Sequence, residues 1–316
     1  IVDERKENGN FRSIFDVTKR VDLRAANKKA FDGLVLAGGF DSFQTANRSQ
    51  YFALDDKGTT FIEKAIRYGN KFQESKNSAQ VSLFGEASEV QFEEPVIPPC
   101  EPWNVMEKLS KEKEMIGIYI SGHPLDDFKT EIQYFCNARV ESLQNISQLE
   151  GKELSFAGII SDVQHRVSKN GKPWGLFTFE DYSDAYEFRL FNEDYLKFRH
   201  FLIPNTFLYL KTVMRRAWQN GDVRVQITTI QQLQDVLANM AKKITLNIPI
   251  ESINETTVKQ FDDVFKKYQG NQHLNFMILD REEKLKLNMP SRSAKINITK
   301  ELLDELSENE WSFKLN

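Results

Sequence analysis

Residues 151–233 constrain the fold most, because five short runs there have the sequence pattern of β-strands. An Asn-Gly pair at 170–171 predicts a tight hairpin between the first two runs. The runs cover 154–167, 174–180, 185–191, 206–217 and 222–230, with a helical pattern at 193–201. Five strands with a helix between the third and fourth is the order of an OB-fold, a partly open five-stranded Greek-key β-barrel.

The N-terminal part is predicted to be helical. Apolar spacing indicates two helices within 11–43 that are joined by a polar turn at 22–27, and a further helix at 59–72. Cations cluster around the turn, namely Lys19, Arg20, Arg24, Lys28 and Lys29. Helix-start amides with nearby cations suit DNA phosphates. A solvated basic face is the alternative, and the turn lacks a glycine that would let a phosphate approach the backbone.

Composition changes after the helices. Residues 74–102 are rich in Ser, Glu and Pro, with five acids and no base between Glu86 and Glu101, which predicts a linker. One apolar island, QVSLF at 80–84, interrupts it. The last segment, 243–315, predicts a small α+β module. Its patterns are a strand at 244–250, a helix at 258–268, a hairpin from 274–279 and 285–289, a strand marked by Ile296 and Ile298, a helix at 302–306 and a strand at 311–315.

Bulk composition narrows the function. The net charge of −4 means that any nucleic-acid binding must be local, and no apolar stretch is long enough to cross a membrane. Two distant cysteines suit a reducing cytosol. The chain contains no Asp-x-Asp, Gly-x-Gly or Cys-x-x-Cys, and its histidines are not spaced as metal ligands (His123, His165, His200 and His273). No catalytic site is therefore predicted, since two-metal catalysis needs converging carboxylates.

The predicted OB-fold offers candidates for single-stranded nucleic acid, which such folds bind with stacking aromatics and cations. They lie in the turns after the first strand and between the last two: Arg166, Lys169, Lys172, Trp174, Arg215, Arg216 and Trp218. The alternative is packing at the barrel end. Residues 150–235 carry eleven acids and eleven bases, so contacts are expected to be few and salt-sensitive. The chain's 24 Phe residues are otherwise expected to fill cores.

Several motifs resemble one family. The run SGHPLD at 121–126 is similar to a signature of bacterial DNA polymerase III alpha subunits, the C-family replicative polymerases, just ahead of their OB domain. Residues 11–43 resemble that family's tandem helix-hairpin-helix region, with Gly39 where the family has Ala. The KNGKP turn at 169–173 and FED at 179–181 resemble its OB domain. We interpret His123 as part of a structural turn, because no base, nucleophile or metal partner lies near it.

The resemblance implies a domain order within a multidomain α+β chain. It comprises a helix-hairpin-helix region at 1–75 with the first hairpin truncated, a linker at 76–102, a connecting segment at 103–149, the OB domain at 150–235 and a C-terminal domain at 240–316. The start at Ile1, without Met, is typical of a piece cut from a longer protein. The intact DNA polymerase would carry its palm carboxylates, its phosphoesterase-like domain and Mg²⁺ upstream, and no cofactor is expected in this chain.

The resemblance also implies partners in a bacterial cytoplasm. Gln80, Ser82, Leu83 and Phe84 look like the internal peptide that binds the sliding clamp, the beta subunit, although packing on a neighbouring domain is the alternative. The C-terminal module would bind the tau subunit of the clamp loader. An exposed edge with Trp311 and Phe313 is one candidate contact, and their burial in a core is favoured. The alternative functions are a free-standing OB-fold single-strand binder and a nucleic-acid enzyme with an OB appendage, such as an aminoacyl-tRNA synthetase.

Overall fold

The computed structural model describes residues 1–81, 92–216 and 221–316, with side chains described outside 77–81. Contacts divide the chain into two compact units, Ile1–Pro124 and Leu125–Asn316. No helix among the described residues is both long and apolar enough to span a membrane.

The first unit is helical. Side-chain caps start four of its helices, because the Ser13, Asn27, Asn47 and Asn104 oxygens accept from a backbone amide of the first turn. The helices are α1 (Val2–Asn8), α2 (Ile14–Arg20), α3 (Lys28–Leu36), α4 (Arg48–Phe52), α5 (Phe61–Val81) and α6 (Val105–Ile116). The helices predicted within 11–43 are confirmed. Helix α5 runs nine residues beyond the predicted end at Phe72.

Aromatic side chains form the core of this unit. Phe15 of α2 makes edge contacts with Phe61 and Tyr68 of α5, at centroid distances of 5.8 and 5.3 Å. The close approach of α2 and α5 requires a glycine. A Cβ atom placed on Gly69 would lie 2.5 Å from the carbonyl oxygen of Thr18. The periodic apolar residues from which these helices were predicted therefore form the core between them.

The second unit begins with helix α7 (Lys129–Phe135) and continues into a five-stranded sheet. Its elements are β1 (Glu153–Val167), β2 (Pro173–Glu180), β3 (Ala185–Phe191), helix α8 (Asn192–Phe198), β4 (Phe207–Arg216) and β5 (Val223–Gln232). All neighbours are antiparallel in the order β3-β2-β1-β4-β5. The predicted strands and the helix between the third and fourth are confirmed.

The sheet does not close into a barrel, because the described parts of β3 and β5 are not paired with each other. The 3₁₀ segment Val140–Leu149 packs against both strands, and its Ile146 lies in the gap between them. Phe156, Phe177 and Phe188 fill the inside of the sheet. The result is the open arrangement of an OB-like sheet rather than a sealed barrel.

A second, four-stranded sheet follows in the order β8-β7-β6-β9. Its elements are α9 (Val236–Met240), β6 (Lys243–Pro249), α10 (Glu255–Lys267), β7 (Gln269–Asp280), β8 (Leu285–Ile296), α11 (Lys300–Glu308) and β9 (Ser312–Leu315). Strands β6 and β7 are parallel because α10 carries the chain back between them. The separate strand predicted at Ile296 and Ile298 is wrong. Ile296 is instead the last residue of the twelve-residue strand β8, and it pairs with β7.

Candidate nucleic-acid interface

Three side chains form a row on the outer face of the first sheet. Trp174 of β2 pairs with Arg166 of β1 on one side and with Phe191 of β3 on the other. The Trp174 and Phe191 rings stack with centroids 5.6 Å apart and planes 21° apart. The Arg166 guanidinium lies 5.6 Å from the Trp174 ring centroid, a cation–π contact. We name this row the aromatic platform.

Phe191 was not among the residues predicted from sequence, and its exposure is unusual. It is 52% exposed and is the one Phe in the described part of the chain with an exposed side chain. The other described Phe residues, Phe72 excepted, belong to hydrophobic cores, as expected. The sequence could have indicated this exposure, because successive side chains of a strand point to opposite faces. Tyr186, Phe188 and Leu190 point inward, so Phe191 points outward, opposite Trp174. An exposed aromatic pair with a cation suits stacking of planar groups such as bases.

The turn between β1 and β2 adds positive charge beside the platform. Asn170 and Gly171 form the predicted hairpin turn, and Gly171 takes a φ of 72°, which favours glycine. Lys169 and Lys172 extend from this turn as exposed side chains. Neither makes an ion pair with any other residue that the structure describes. The geometry thus brings four predicted residues together, because Arg166 and Trp174 lie next to this turn.

The two arginines at the end of β4 have different environments. Arg216 is bound by the Glu150 carboxylate, which raises the arginine's pKa, and it also donates to the carbonyl oxygen of Gly221 at 2.8 Å. Arg215 lies on the outer face opposite Arg224 of β5. Trp218 lies outside the described residues. Of the predicted pair, Arg215 is the better placed for an anion, because Arg216 would first have to exchange its Glu150 partner.

The cations predicted to contact duplex DNA are mostly paired inside the first unit. Lys19 Nζ lies 3.2 Å from Glu94 Oε1, and Lys28 Nζ lies 3.0 Å from Asp32 Oδ2. Arg20 contacts Glu4 at 2.9 Å and Asp16 at 3.1 Å. Arg24 and Lys29 are exposed and have no ion pair within the described part. These two side chains therefore have more freedom to meet phosphate than the other three.

Arg20 also braces a turn that the sequence patterns did not indicate. Gly9, between α1 and α2, has a φ of 82°, and its carbonyl oxygen accepts from Arg20 Nη2 at 2.9 Å. A glycine-containing turn between two helices therefore exists here, whereas the turn between α2 and α3 has none. The role of Arg20 in this unit is to hold that turn.

A buried carboxylate holds the backbone at the start of the SGHPLD run, which covers residues 121–126. Glu112 of α6 is completely buried, and its Oε2 accepts the amides of Ile120 and Ser121, both at 3.0 Å. Its Oε1 lies 2.6 Å from Arg48 Nη1. His123 contacts the Tyr119 ring with centroids 5.2 Å apart. Among the residues described, no group of three or more His, Cys, Asp or Glu could hold a metal ion.

Only some of the residues predicted to bind partners lie within the described part of the chain. Ser82, Leu83 and Phe84 lie outside the described residues, as does the side chain of Gln80, whose backbone belongs to the last turn of α5. Trp311 and Phe313 are partly buried, and Trp311 packs 4.2 Å from Phe261 between ring centroids. Both therefore contribute to the core of the second unit. Exposed apolar side chains instead follow β8, at Leu285, Leu287 and Met289.

Known proteins resemble this chain along most of its length. A model of the C-terminal domain of the DNA polymerase III alpha subunit matches residues 244–316, and a helix-hairpin-helix motif model matches residues 1–51. The alpha subunit of Pseudomonas fluorescens aligns with 85% of the chain at 23% identity, and that of Borreliella burgdorferi with 92% at 26% identity. This chain is therefore similar to DNA polymerase III alpha subunits over most of its length.

These similarities confirm the resemblance predicted from the motifs at 11–43, 121–126 and 169–181. The chain spans about a quarter of its relatives, since it covers 23% of the Pseudomonas protein and 25% of the Borreliella protein. The match to the family's C-terminal domain coincides with strands β6–β9, and the helix-hairpin-helix match includes α1–α4. A yeast mitochondrial single-stranded DNA binding protein overlaps 27% of the chain with a TM-score of 0.21, which is too low to establish a shared fold.

Proposed function

We propose that this chain holds DNA and replication partners and does not itself form phosphodiester bonds. The observation that carries the proposal is the aromatic platform, where Arg166, Trp174 and Phe191 face outward beside the lysines of the β1–β2 turn. Stacking on an aromatic surface tolerates any base, because every base has a π face. Phosphates beside the bases would meet Lys169 and Lys172. Single-stranded DNA is therefore the proposed ligand, as suits a template strand.

Similarity to the polymerase alpha subunits favours this role over a free-standing single-strand binder. The helical unit is proposed to contact duplex DNA through Arg24 and Lys29, with Lys28 able to exchange its exposed partner Asp32 for a phosphate. Exposed ion pairs contribute about 0–1 kcal/mol, so such an exchange costs little. Together the two contacts would keep primer and template near a polymerase active site located elsewhere in the protein, in the bacterial cytoplasm.

Sliding-clamp binding is proposed for Gln80, Ser82, Leu83 and Phe84. A short peptide with two adjacent apolar side chains binds weakly alone, but attachment to a DNA-bound protein raises its effective concentration. Support comes from the QVSLF sequence and from its position before the SGHPLD run. The clamp would thereby convert a polymerase that dissociates often into a processive one.

Clamp-loader binding is proposed for the C-terminal module that contains β6–β9. The side chains of Leu285, Leu287 and Met289 are 64%, 58% and 48% exposed and alternate along the edge strand β8. An alternating apolar row on an edge strand suits a partner better than the packed Trp311 and Phe313 do. The partner proposed from the family is the tau subunit.

Fluorescence anisotropy with labelled oligo-dT tests the single-strand proposal. Trp174→Ala removes the centre of the platform and is expected to weaken binding by about 1–3 kcal/mol, roughly 5- to 150-fold. Trp103→Ala is the matched control, because Trp103 also stacks on a phenylalanine, Phe52, and carries a lysine, Lys111, 4.7 Å from its ring. The control should bind as the wild type does. Equal binding by the Trp174 variant would remove the platform from the proposal.

A further inference from the structure

The outer face of β4 and β5 carries cations without counter-charges. Arg215 and Arg224 lie directly opposite each other across the two strands, and both are exposed. Like charges in this position are destabilising. No carboxylate lies within ion-pair distance of either in the described residues, although the neighbouring Arg216 is paired with Glu150. A bound anion would therefore reduce the repulsion between Arg215 and Arg224.

The charge continues along β4 in one direction. Arg215 and Lys211 line the same groove, together with Thr228. Lys211 then lines an adjoining groove with Lys242 and Lys243 at the start of β6. These lysines are also exposed and have no ion pair among the described residues. One carboxylate side chain, Glu153, lines the first groove, and the second has none among its described lining residues.

The charge continues towards the aromatic platform in the other direction. The gap between the edge strands β3 and β5 forms a groove of about 660 Å³ that both Arg224 and Phe191 line. The groove also contains Arg189 and Glu187, which pair with each other at 2.7 Å. Phe191 therefore belongs to two surfaces, the platform and this groove. A nucleic-acid strand leaving the platform has a continuous path to Arg224.

We propose that the face formed by Arg224, Arg215, Lys211, Lys242 and Lys243, here named the basic track, binds the phosphodiester backbone of single-stranded nucleic acid that leaves the aromatic platform along the groove between β3 and β5, which Ile146 also lines. The inference rests on the proposed single-strand binding and extends it to a second surface. The inference also explains why the sheet is open, because hydrogen bonding between β3 and β5 would close the groove.

Backbone binding fits the residue types of the track better than base binding does. The cations that line the two grooves beyond Arg224 are one arginine and three lysines, Arg215, Lys211, Lys242 and Lys243. The aromatic side chains that line the first groove, Tyr134, Phe135 and Tyr209, are buried or half-buried, whereas the exposed aromatic pair is at the platform. Lys211 and Arg215 are four residues apart, about 13 Å along a strand. That length accommodates more than one phosphate of an extended strand. The track should therefore add sequence-independent, salt-sensitive affinity to long ligands.

The test compares oligo-dT of about 6 and about 20 nucleotides, within and beyond the usual site sizes of one OB-fold. Lys211→Gln/Lys242→Gln removes two track charges, and Lys284→Gln/Lys286→Gln removes two exposed charges at the β7–β8 hairpin as the control. Anisotropy titrations over a series of salt concentrations give the slope of log K against log salt. Thermal melting followed by circular dichroism checks that each variant is folded.

For the long oligonucleotide, the track variant is expected to lower the slope by about 1.4, since each single-strand phosphate contact contributes about 0.7. The affinity deficit would grow about 25-fold for each tenfold decrease in salt. The short oligonucleotide should bind the track variant as it binds the wild type, and the control variant should match the wild type with both.

An unchanged slope for the long oligonucleotide, with Trp174→Ala still impaired, would overturn the track and leave the platform intact. A wild type that binds neither oligonucleotide would overturn the single-strand function itself. Poly-glutamate provides the last comparison. If it binds the wild type and loses affinity in the track variant while oligo-dT does not, the face serves an acidic protein and the nucleic-acid assignment is wrong.

Discussion

Replacing Glu112 with alanine is expected to destabilise the helical first unit strongly. The carboxylate is completely buried and joins Arg48 of α4, at 2.6 Å, to the amides of Ile120 and Ser121. Removing one partner of a buried pair costs about 3–5 kcal/mol, because the remaining charge stays out of water. Arg48 retains its contact with Asp41. The free energy of unfolding should therefore decrease by about 3 kcal/mol, the lower end of this range.

Urea unfolding followed by far-UV circular dichroism measures this loss. With a slope of about 1–3 kcal/mol per molar urea, the midpoint of the helical transition should fall by roughly 1–3 M. Glu107→Ala is the control, since Glu107 lies on the same helix α6 but is exposed and 3.8 Å from Lys111. It should cost less than about 1 kcal/mol. If the two variants unfold alike, the reasoning about the buried carboxylate is refuted.

The difference between wild type and Glu112→Ala should also depend on pH. Burial acts to raise the pKa of Glu112, but hydrogen bonds from Ser121, Arg48 and Ile120 outweigh it and lower that pKa to about 2. A depressed pKa stabilises the fold above the unfolded value of 4.5, and this contribution disappears as the pH falls towards 2. The gap in unfolding free energy should therefore narrow between pH 4.5 and 2. A gap that widens on acidification would contradict the assigned sign.

Three further outcomes are expected. Leu83→Ala/Phe84→Ala should abolish binding to a bacterial sliding clamp in surface plasmon resonance, and binding equal to wild type would show that the peptide packs within its own chain. Gly69→Ala should lower the melting temperature through a loss of about 1–3 kcal/mol, because its Cβ would lie 2.5 Å from the Thr18 carbonyl oxygen, and an unchanged melting temperature would refute this. Leu287→Ser should weaken capture of a tau subunit without lowering the melting temperature, since Leu287 is 58% exposed; normal capture would exclude β8.

Local sequence signals predicted most of the strands and helices. Strand boundaries in the first sheet were predicted to within about two residues, because the strand-forming runs end at turn signals such as Asn170-Gly171. Strand β3 alternates between exposed residues and buried or half-buried ones, whereas residues 155–160 of β1 are buried continuously. Helix α3 begins after Asn27, whose side chain caps it. The prediction that Phe residues fill cores was correct for the residues described, Phe72 and Phe191 excepted. These features depend on neighbours in the chain, which a sequence displays.

Features that depend on pairing were not predictable in the same way. Ile296 and Ile298 suggested a new strand, whereas the register with β7 extends β8 to Ile296. The opposition of Arg215 and Arg224 depends on the register of β4 and β5. Ion pairs such as Lys19 with Glu94 join residues 75 positions apart. The cations of 19–29 therefore looked equivalent in sequence, although the structure neutralises some and leaves others free.

Ultraviolet cross-linking of the wild-type chain to oligo-dT, followed by mass spectrometry, tests the central claim most directly. Stacked bases cross-link to the aromatic side chains that they touch. We expect the main cross-links at Trp174 and Phe191, with loss of both signals when unlabelled oligo-dT competes. Cross-links confined to peptides outside the first sheet, or their complete absence under conditions where the oligonucleotide binds, would contradict the claim that this chain holds single-stranded DNA on the aromatic platform.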